Sequence, residues 1–200
     1  NSAHEYDRLI LAPGIEFVSP AGDYNPNLTP HAWKAGPQTL LLKQQLAALP
    51  SRGMVLLSIP KSPYRCPPGP YERACQVAQY LSRVKPRSKV LILDANDDVT
   101  SKGPLFKKAW SDRYKGIVEY RGKHRVTDVD AATNTLKFEF NDDVKANVLN
   151  VIPGMRAGDI AVNAGLATAN KRWCEVDFLT FESKVAKNVH VLGDSRSSLV

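Results

Sequence analysis

The chain has 200 residues, 43% hydrophobic and 24% charged, with a formal net charge of +7. It can bury one large core or two smaller ones, and no apolar run approaches the ~20 residues needed to cross a bilayer, which argues against a transmembrane protein. Lys and Arg are scattered rather than gathered on a basic helix with interleaved aromatics, which argues against nucleic-acid binding, and three cysteines and four histidines at dispersed positions give no zinc-ligand spacing.

The first residues read as the tail of a preceding element. Arg8-Leu9-Ile10-Leu11 is a short apolar strand that stops on Ala12-Pro13-Gly14. A domain seldom opens on a naked strand, so we expect protein upstream of it. Residues 15–37 carry Pro20, Pro26, Pro30 and Pro37 with Gly22 and Gly36, and this predicts an extended connection rather than regular structure, with Trp33 anchoring it. Residues 38–49 predict a helix with Leu41, Leu42, Leu46 and Leu49 on one side, ended by Pro50.

The most informative stretch is 53–81. The run Met54-Val55-Leu56-Leu57 predicts a strand, and Ala74, Val77, Ala78, Leu81 and Val84 recur at helical spacing. In a nucleotide-binding βαβ unit the loop between them would be Gly-x-Gly-x-x-Gly, because the pyrophosphate needs close backbone approach and free N–H groups. Here it holds Pro60, Pro63, Pro67, Pro68 and Pro70 with Gly69 alone. Prolines have no N–H to offer a phosphate. What the loop presents is the thiol of Cys66. One reading makes Cys66 a small apolar filler. The other makes it reactive, since it precedes a helix start and has Arg65 and Arg73 near it in sequence, surroundings of the kind found at reactive cysteines. A Cys66–Cys75 bridge is open, although Cys75 falls in the helical pattern and reads as structural.

Lys89-Val90-Leu91-Ile92-Leu93-Asp94 predicts a strand buried in a parallel sheet. Its closing acid occupies the place where a dinucleotide fold binds ribose, but without the glycine loop it is a weak signal. A helix over 105–114 with Phe106, Ala109 and Trp110 inward, and a strand over 116–120, follow. Val126, Val129, a turn at 132–134 and the alternating Leu136, Phe138 and Phe140 predict a hairpin, and 144–152 a further strand stopping on Pro153-Gly154. That ending echoes Pro13-Gly14, as would two related nucleotide-binding lobes or two short apolar strands alike by chance. Residues 159–167 predict a small helix, 172–180 are mixed, and 188–194 predict a last strand ending on Gly193-Asp194, which can offer a backbone N–H and a carboxylate to a hydroxyl or phosphate.

Tyr6-Asp7 with Ala12-Pro13-Gly14, His31-Ala32-Trp33-Lys34-Ala35-Gly36, the string Cys66-Pro67-Pro68-Gly69-Pro70-Tyr71-Glu72-Arg73, and Trp173-Cys174 with Val191-Leu192-Gly193-Asp194 together resemble the flavoprotein subunit of flavocytochrome c sulfide dehydrogenases. The resemblance implies an α/β protein: a Rossmann-like three-layer domain with a central parallel sheet and an antiparallel β crossover, plus partial strands of a split FAD-binding domain. It implies that residues 1–37 are a remnant of the FAD domain and a linker. Residues 38–154 would be an inserted domain of NAD-binding ancestry with no NAD site, and 155–200 a return segment ending in the Gly-Asp motif.

It further implies that Cys66 forms a redox-active disulfide beside the flavin, which sulfide attacks. The sulfur is held as a persulfide and two electrons pass to FAD, then singly to the haem of a cytochrome c subunit in the periplasm. Ala12, Pro13, Gly14, Gly193 and Asp194 would contact FAD. Cys174 matches a family cysteine other than the redox partner, with Glu175 where the family has proline. The glycine-rich FAD loop would lie upstream and the partner cysteine downstream, so the resemblance implies an internal fragment that is inactive alone. A quinone acceptor, as in the related sulfide:quinone oxidoreductases, and a non-enzymatic Rossmann-like scaffold are the competing readings.

Overall fold

A computed structural model describes residues 3–20 and 22–197. In chain order they form β1 (Leu9–Leu11), β2 (Ile15–Val18), α1 (Pro37–Ala48), β3 (Met54–Ile59), α2 (Gly69–Val84), β4 (Lys89–Asp94), α3 (Gly103–Asp112) and β5 (Val118–Arg121). There follow β6 (Val126–Asp130), β7 (Thr135–Phe138), β8 (Val144–Lys145), β9 (Val148–Val151), β10 (Gly154–Ala157), α4 (Asp159–Asn163) and β11 (Val189–Val191). They divide into two compact units, residues 19–154 and residues 3–18 with 155–197.

In the larger unit β5, β4, β3 and β9 lie side by side in that order, all parallel. The near-continuous apolar runs explain this, because a parallel sheet is covered on both faces and leaves few polar positions in its strands. Leu56, Leu57, Ile92, Leu93 and Leu149 are all 2% exposed or less, and burial of each such side chain contributes about 1.5–3 kcal/mol. Side chains alternate between faces along a strand. Leu56, Leu91, Leu93, Leu149 and Val151 therefore pack on one face with Val129, Leu136 and Phe138 of the antiparallel hairpin β6–β7. Helix α2 covers the sheet through Tyr71, Ala74, Val77, Ala78 and Leu81, and α3 packs on α2 and brings in Trp110. This is the expected α/β class with a central parallel sheet and antiparallel β accessories.

The smaller unit pairs β1 with β11 in parallel and β2 with β10. Its core gathers Ala157, Ala161, Leu166, Cys174, Val189 and Val191, with Leu9 and Leu11 against them. Cys174 is fully buried there.

Several elements depart from the sequence pattern. Residues 15–18 form a strand where the prolines that follow suggested none, because β10 supplies a pairing partner from far along the chain. The single strand expected over 144–152 is two. At the break, Ala146 N–H donates to the Asn134 carbonyl and the Asn147 side chain accepts from Met54 N–H at 2.9 Å. Phe140 lies past the end of β7 and is 88% exposed, and Val84 at the last turn of α2 is exposed too. In α1 only Leu42 is buried, with Leu49 just beyond the helix.

Candidate functional site

The loop from Pro60 to Pro68 leaves the carboxyl end of β3 and enters α2, the position at which open α/β sheets place their ligands. Side chains hold this loop. The Pro60 carbonyl accepts from Asn96 Nδ2 at 3.1 Å and Ser62 N–H donates to Asn96 Oδ1 at 2.9 Å. Tyr64, 3% exposed, places its hydroxyl 3.2 Å from the Pro67 carbonyl and 2.9 Å from Thr100 Oγ1. Gly69 N–H closes a turn on the Cys66 carbonyl at 2.9 Å. At the apex Cys66 is exposed and adopts φ +58°, a left-handed conformation that a side chain seldom takes unless its surroundings impose it. No disulfide joins Cys66, Cys75 and Cys174, so the Cys66–Cys75 bridge does not form. Burial raises the pKa of Cys75 and of Cys174, which suits structural thiols.

Asp94 has the strand-end place that sequence reasoning noted, but it is wholly buried. Its Oδ2 accepts from Tyr71 at 2.7 Å and Tyr120 at 3.1 Å, and its Oδ1 from Asn96 N–H at 2.9 Å and Asn96 Nδ2 at 2.7 Å. Burial raises its pKa, and these four donors pull the other way. Burial also raises the Tyr71 and Tyr120 hydroxyls, so they stay protonated and donate. A carboxyl committed in this way has no lone pair to turn toward a ribose.

Beside the thiol loop lies the segment 30–33. Asn150 of β9, 2% exposed, donates Nδ2 to the Pro30 and His31 carbonyls at 2.6 and 2.9 Å and accepts from Arg73 Nη1 at 3.1 Å. Arg73 also donates to the carbonyls of His31, at 2.8 Å, and Ala32. The half-buried Trp33 ring stacks on the Arg73 guanidinium with 4.9 Å to the ring centre, so this tryptophan does anchor its loop. A Cβ added at Gly69 would fall 2.8 Å from Trp33 Cη2 and 2.9 Å from Cys66 Sγ, so the ring edge and the sulfur flank the same glycine. Burial takes Arg73 down to about 10, and charge on Cys66 acts in the opposite direction. His31 Nδ1 accepts from Trp33 N–H at 2.9 Å, and burial first, then Arg73 and Lys34, keep that imidazole neutral by lowering its pKa.

The other predicted residues sit in the smaller unit. Leu11 and Val191 stand in register at the carboxyl ends of β1 and β11, and Leu192 N–H donates to the Leu11 carbonyl at 2.8 Å. Ala12, Pro13 and Gly14 therefore share an edge with Gly193 and Asp194. Gly14 and Gly193 have φ +67° and +69°, and among the described residues, chain neighbours aside, no atom lies within 4 Å of where a Cβ would be. The Gly14 carbonyl is clamped by Gly158 N–H at 3.0 Å and by the Ser195 hydroxyl. Gly158 needs to be glycine, since a Cβ there would lie 2.6 Å from the Pro13 carbonyl. Asp194 is exposed at this edge.

Sequence reasoning missed Asn150, the stack of Trp33 on Arg73, and the wiring of Tyr64 and Asp94. Asn150 carried a usable signal, because a polar residue inside Val148-Leu149-Asn150-Val151 must find partners when its strand is buried.

A family model described as the central part of the sulfide dehydrogenase (flavocytochrome c) flavoprotein chain matches residues 39–153. Among solved structures, the chain is similar to the sulfide:quinone oxidoreductase of the hyperthermophilic bacterium Aquifex aeolicus, with TM-score 0.77 and 20% identity over 97% of this chain and 47% of that one. A chain in the mitochondrial ATP synthase structure of Tetrahymena thermophila matches with TM-score 0.69 and 18% identity, over 96% and 51%. The HOCl-induced flavoprotein disulfide reductase RclA of Escherichia coli matches with TM-score 0.59 and 16% identity, over 96% and 40%. At these identities the likeness is one of fold, and the chain spans about half the length, or less, of each. Among the described residues no helix is long and apolar enough to cross a membrane.

Proposed function

The chain belongs to the family of flavocytochrome c sulfide dehydrogenase flavoprotein chains, and from that premise we propose that it supplies the sulfur-handling loop and part of the flavin edge of an FAD-dependent sulfide dehydrogenase. The observation that carries the proposal is Cys66, an exposed thiol at φ +58° in the loop after the carboxyl end of β3, where the prolines offer no N–H groups to a nucleotide phosphate. FAD, held by the protein that contains this chain, supplies a two-electron acceptor. Gly14 and Gly193 are open on their Cβ side and allow close backbone approach of the cofactor. Ala12, Pro13 and Asp194 line the same edge.

Cys66 works in a disulfide with a second cysteine that is neither Cys75 nor Cys174. Hydrosulfide attacks that bond, one sulfur leaves as thiolate and the other keeps the new sulfur as a persulfide. When that thiolate and the persulfide rejoin through the added sulfur, with loss of the hydrosulfide proton, they give up two electrons, which FAD would accept where it is bound and a cytochrome c subunit in the periplasm would take on. A fixed loop serves this chemistry because exchange depends on which sulfur is reached and from which side.

The test is the visible spectrum of the flavin-loaded protein containing this chain, recorded without oxygen as sulfide is added. The flavin band should bleach and return on addition of an oxidised cytochrome c. A colourless protein, or a bound flavin that sulfide leaves untouched, would retire the enzyme reading in favour of a non-catalytic scaffold. Bleaching reversed by a quinone and not by cytochrome c would move the acceptor to the quinone class.

A further inference from the structure

Asp94 stands out as a carboxyl with no exposed surface and, among the described residues, no ion pair to Lys or Arg. Two chains of hydrogen bonds run from it, and both end on the loop that carries Cys66. From Oδ1 the path goes through Asn96, whose side chain holds the Pro60 carbonyl and Ser62 N–H at the start of the loop. From Oδ2 it goes through the Tyr71 hydroxyl to Thr100, which gives Tyr71 its N–H at 3.0 Å, then from Thr100 Oγ1 to Tyr64, and from Tyr64 to the carbonyl of Pro67, the neighbour of Cys66. A carboxylate only accepts. Tyr71 must therefore donate to it; of the Thr100 and Tyr64 hydroxyls either can donate to the other, and when Thr100 does so the Tyr64 proton is left for the Pro67 carbonyl.

We propose that Asp94 is the positioning residue of the thiol: one buried carboxyl, at the strand end where a nucleotide-binding fold keeps its ribose acid, anchors both arms and so fixes the Cys66 loop from each side. The place of the sulfur stands on this geometry alone. Only the use made of the sulfur rests on the sulfide-oxidation reading.

Asparagine at 94 has the right shape but brings donors where the carboxyl had none. Its Oδ1 can still accept from Asn96, and its NH₂ then faces the Tyr71 and Tyr120 hydroxyls, which must accept where they donated. Tyr71 then turns its proton to Thr100 Oγ1 at 3.2 Å, and the arm that runs on to Tyr64 is reordered.

The experiment follows the alkylation of Cys66 by N-ethylmaleimide in the 200-residue chain at neutral pH, read on the Cys66 peptide by mass spectrometry. Asp94→Asn should change the rate about fivefold or more, and Tyr64→Phe, which removes one oxygen, should change it in the same direction; Tyr64→Phe also serves if Asp94→Asn does not fold. Leu149→Ala is the control, because it empties a core position of the same unit without touching either arm and lowers the melting temperature, yet should leave the Cys66 rate within about twofold of wild type. An Asp94→Asn or Tyr64→Phe rate within twofold of wild type, or a Leu149→Ala rate that moves as far as theirs, would overturn the proposal. No flavin is involved, so a Cys66 that responds to Asp94→Asn beside a flavin that ignores sulfide would retire the enzyme reading and keep this one.

Discussion

At the end of β4, Asp94 meets two tyrosine hydroxyls that lie 23 and 26 residues away in sequence. This distance explains why the sequence revealed its place and hid its role. The strand pattern located a terminal acid, but nothing local says that Tyr71 and Tyr120 turn toward it. The loop that carries Cys66 was more legible, because a proline-dense run after a strand pattern marks an exposed connection with few N–H groups to offer a phosphate. A pH dependence follows from the raised pKa of Asp94. The folded protein holds this proton more tightly than the unfolded chain does, so unfolding releases it and stability contributed by the group falls as pH rises from 3.8 through the folded value. Asparagine does not titrate. The urea midpoint of wild type relative to Asp94→Asn should therefore decline between acidic and neutral pH, and a relative midpoint that climbs instead would contradict the assignment of burial as the dominant cause.

Helix α2 joins the thiol loop to the core, and its first residue is under an unusual constraint. Glycine at an ordinary helix position is worth replacing, since alanine gains about 1 kcal/mol. At Gly69 the new methyl would meet the Trp33 ring at 2.8 Å and Cys66 Sγ at 2.9 Å. We expect Gly69→Ala to yield no gain in melting temperature and to shift the tryptophan emission as Trp33 moves off Arg73; a protein stabilised by the usual amount with unchanged emission would show the contact to be slack. The regular elements were readable wherever the pattern was long, as in α2 and β4. It failed where pairing partners are remote. Strand β2 exists because β10 meets it, and the break between β8 and β9 is fixed by Asn134 and Met54, neither of which is a neighbour in sequence.

At the scale of the molecule, the chain has two cores that differ in kind. The larger is a covered parallel sheet with a hairpin on one face and helices α2 and α3 on the other side, and it carries the thiol. The smaller is built from strands contributed by both ends of the described chain, with the Pro-Gly turn and the Gly-Asp turn at one shared edge. The strands that begin after Pro13 and Pro153, β2 and β10, pair with each other. Family membership ties this arrangement to flavin chemistry, and the sulfur of Cys66 is the atom on which that account turns. The most direct measurement compares wild type with Cys66→Ser in the flavin-loaded protein that contains this chain, mixing each with sulfide without oxygen and following the flavin band. The account predicts that Cys66→Ser slows bleaching by sulfide by a factor on the order of 100 or more, while dithionite still reduces the flavin at the wild-type rate, as loss of a covalent nucleophile should. Equal bleaching rates in the two proteins would contradict it.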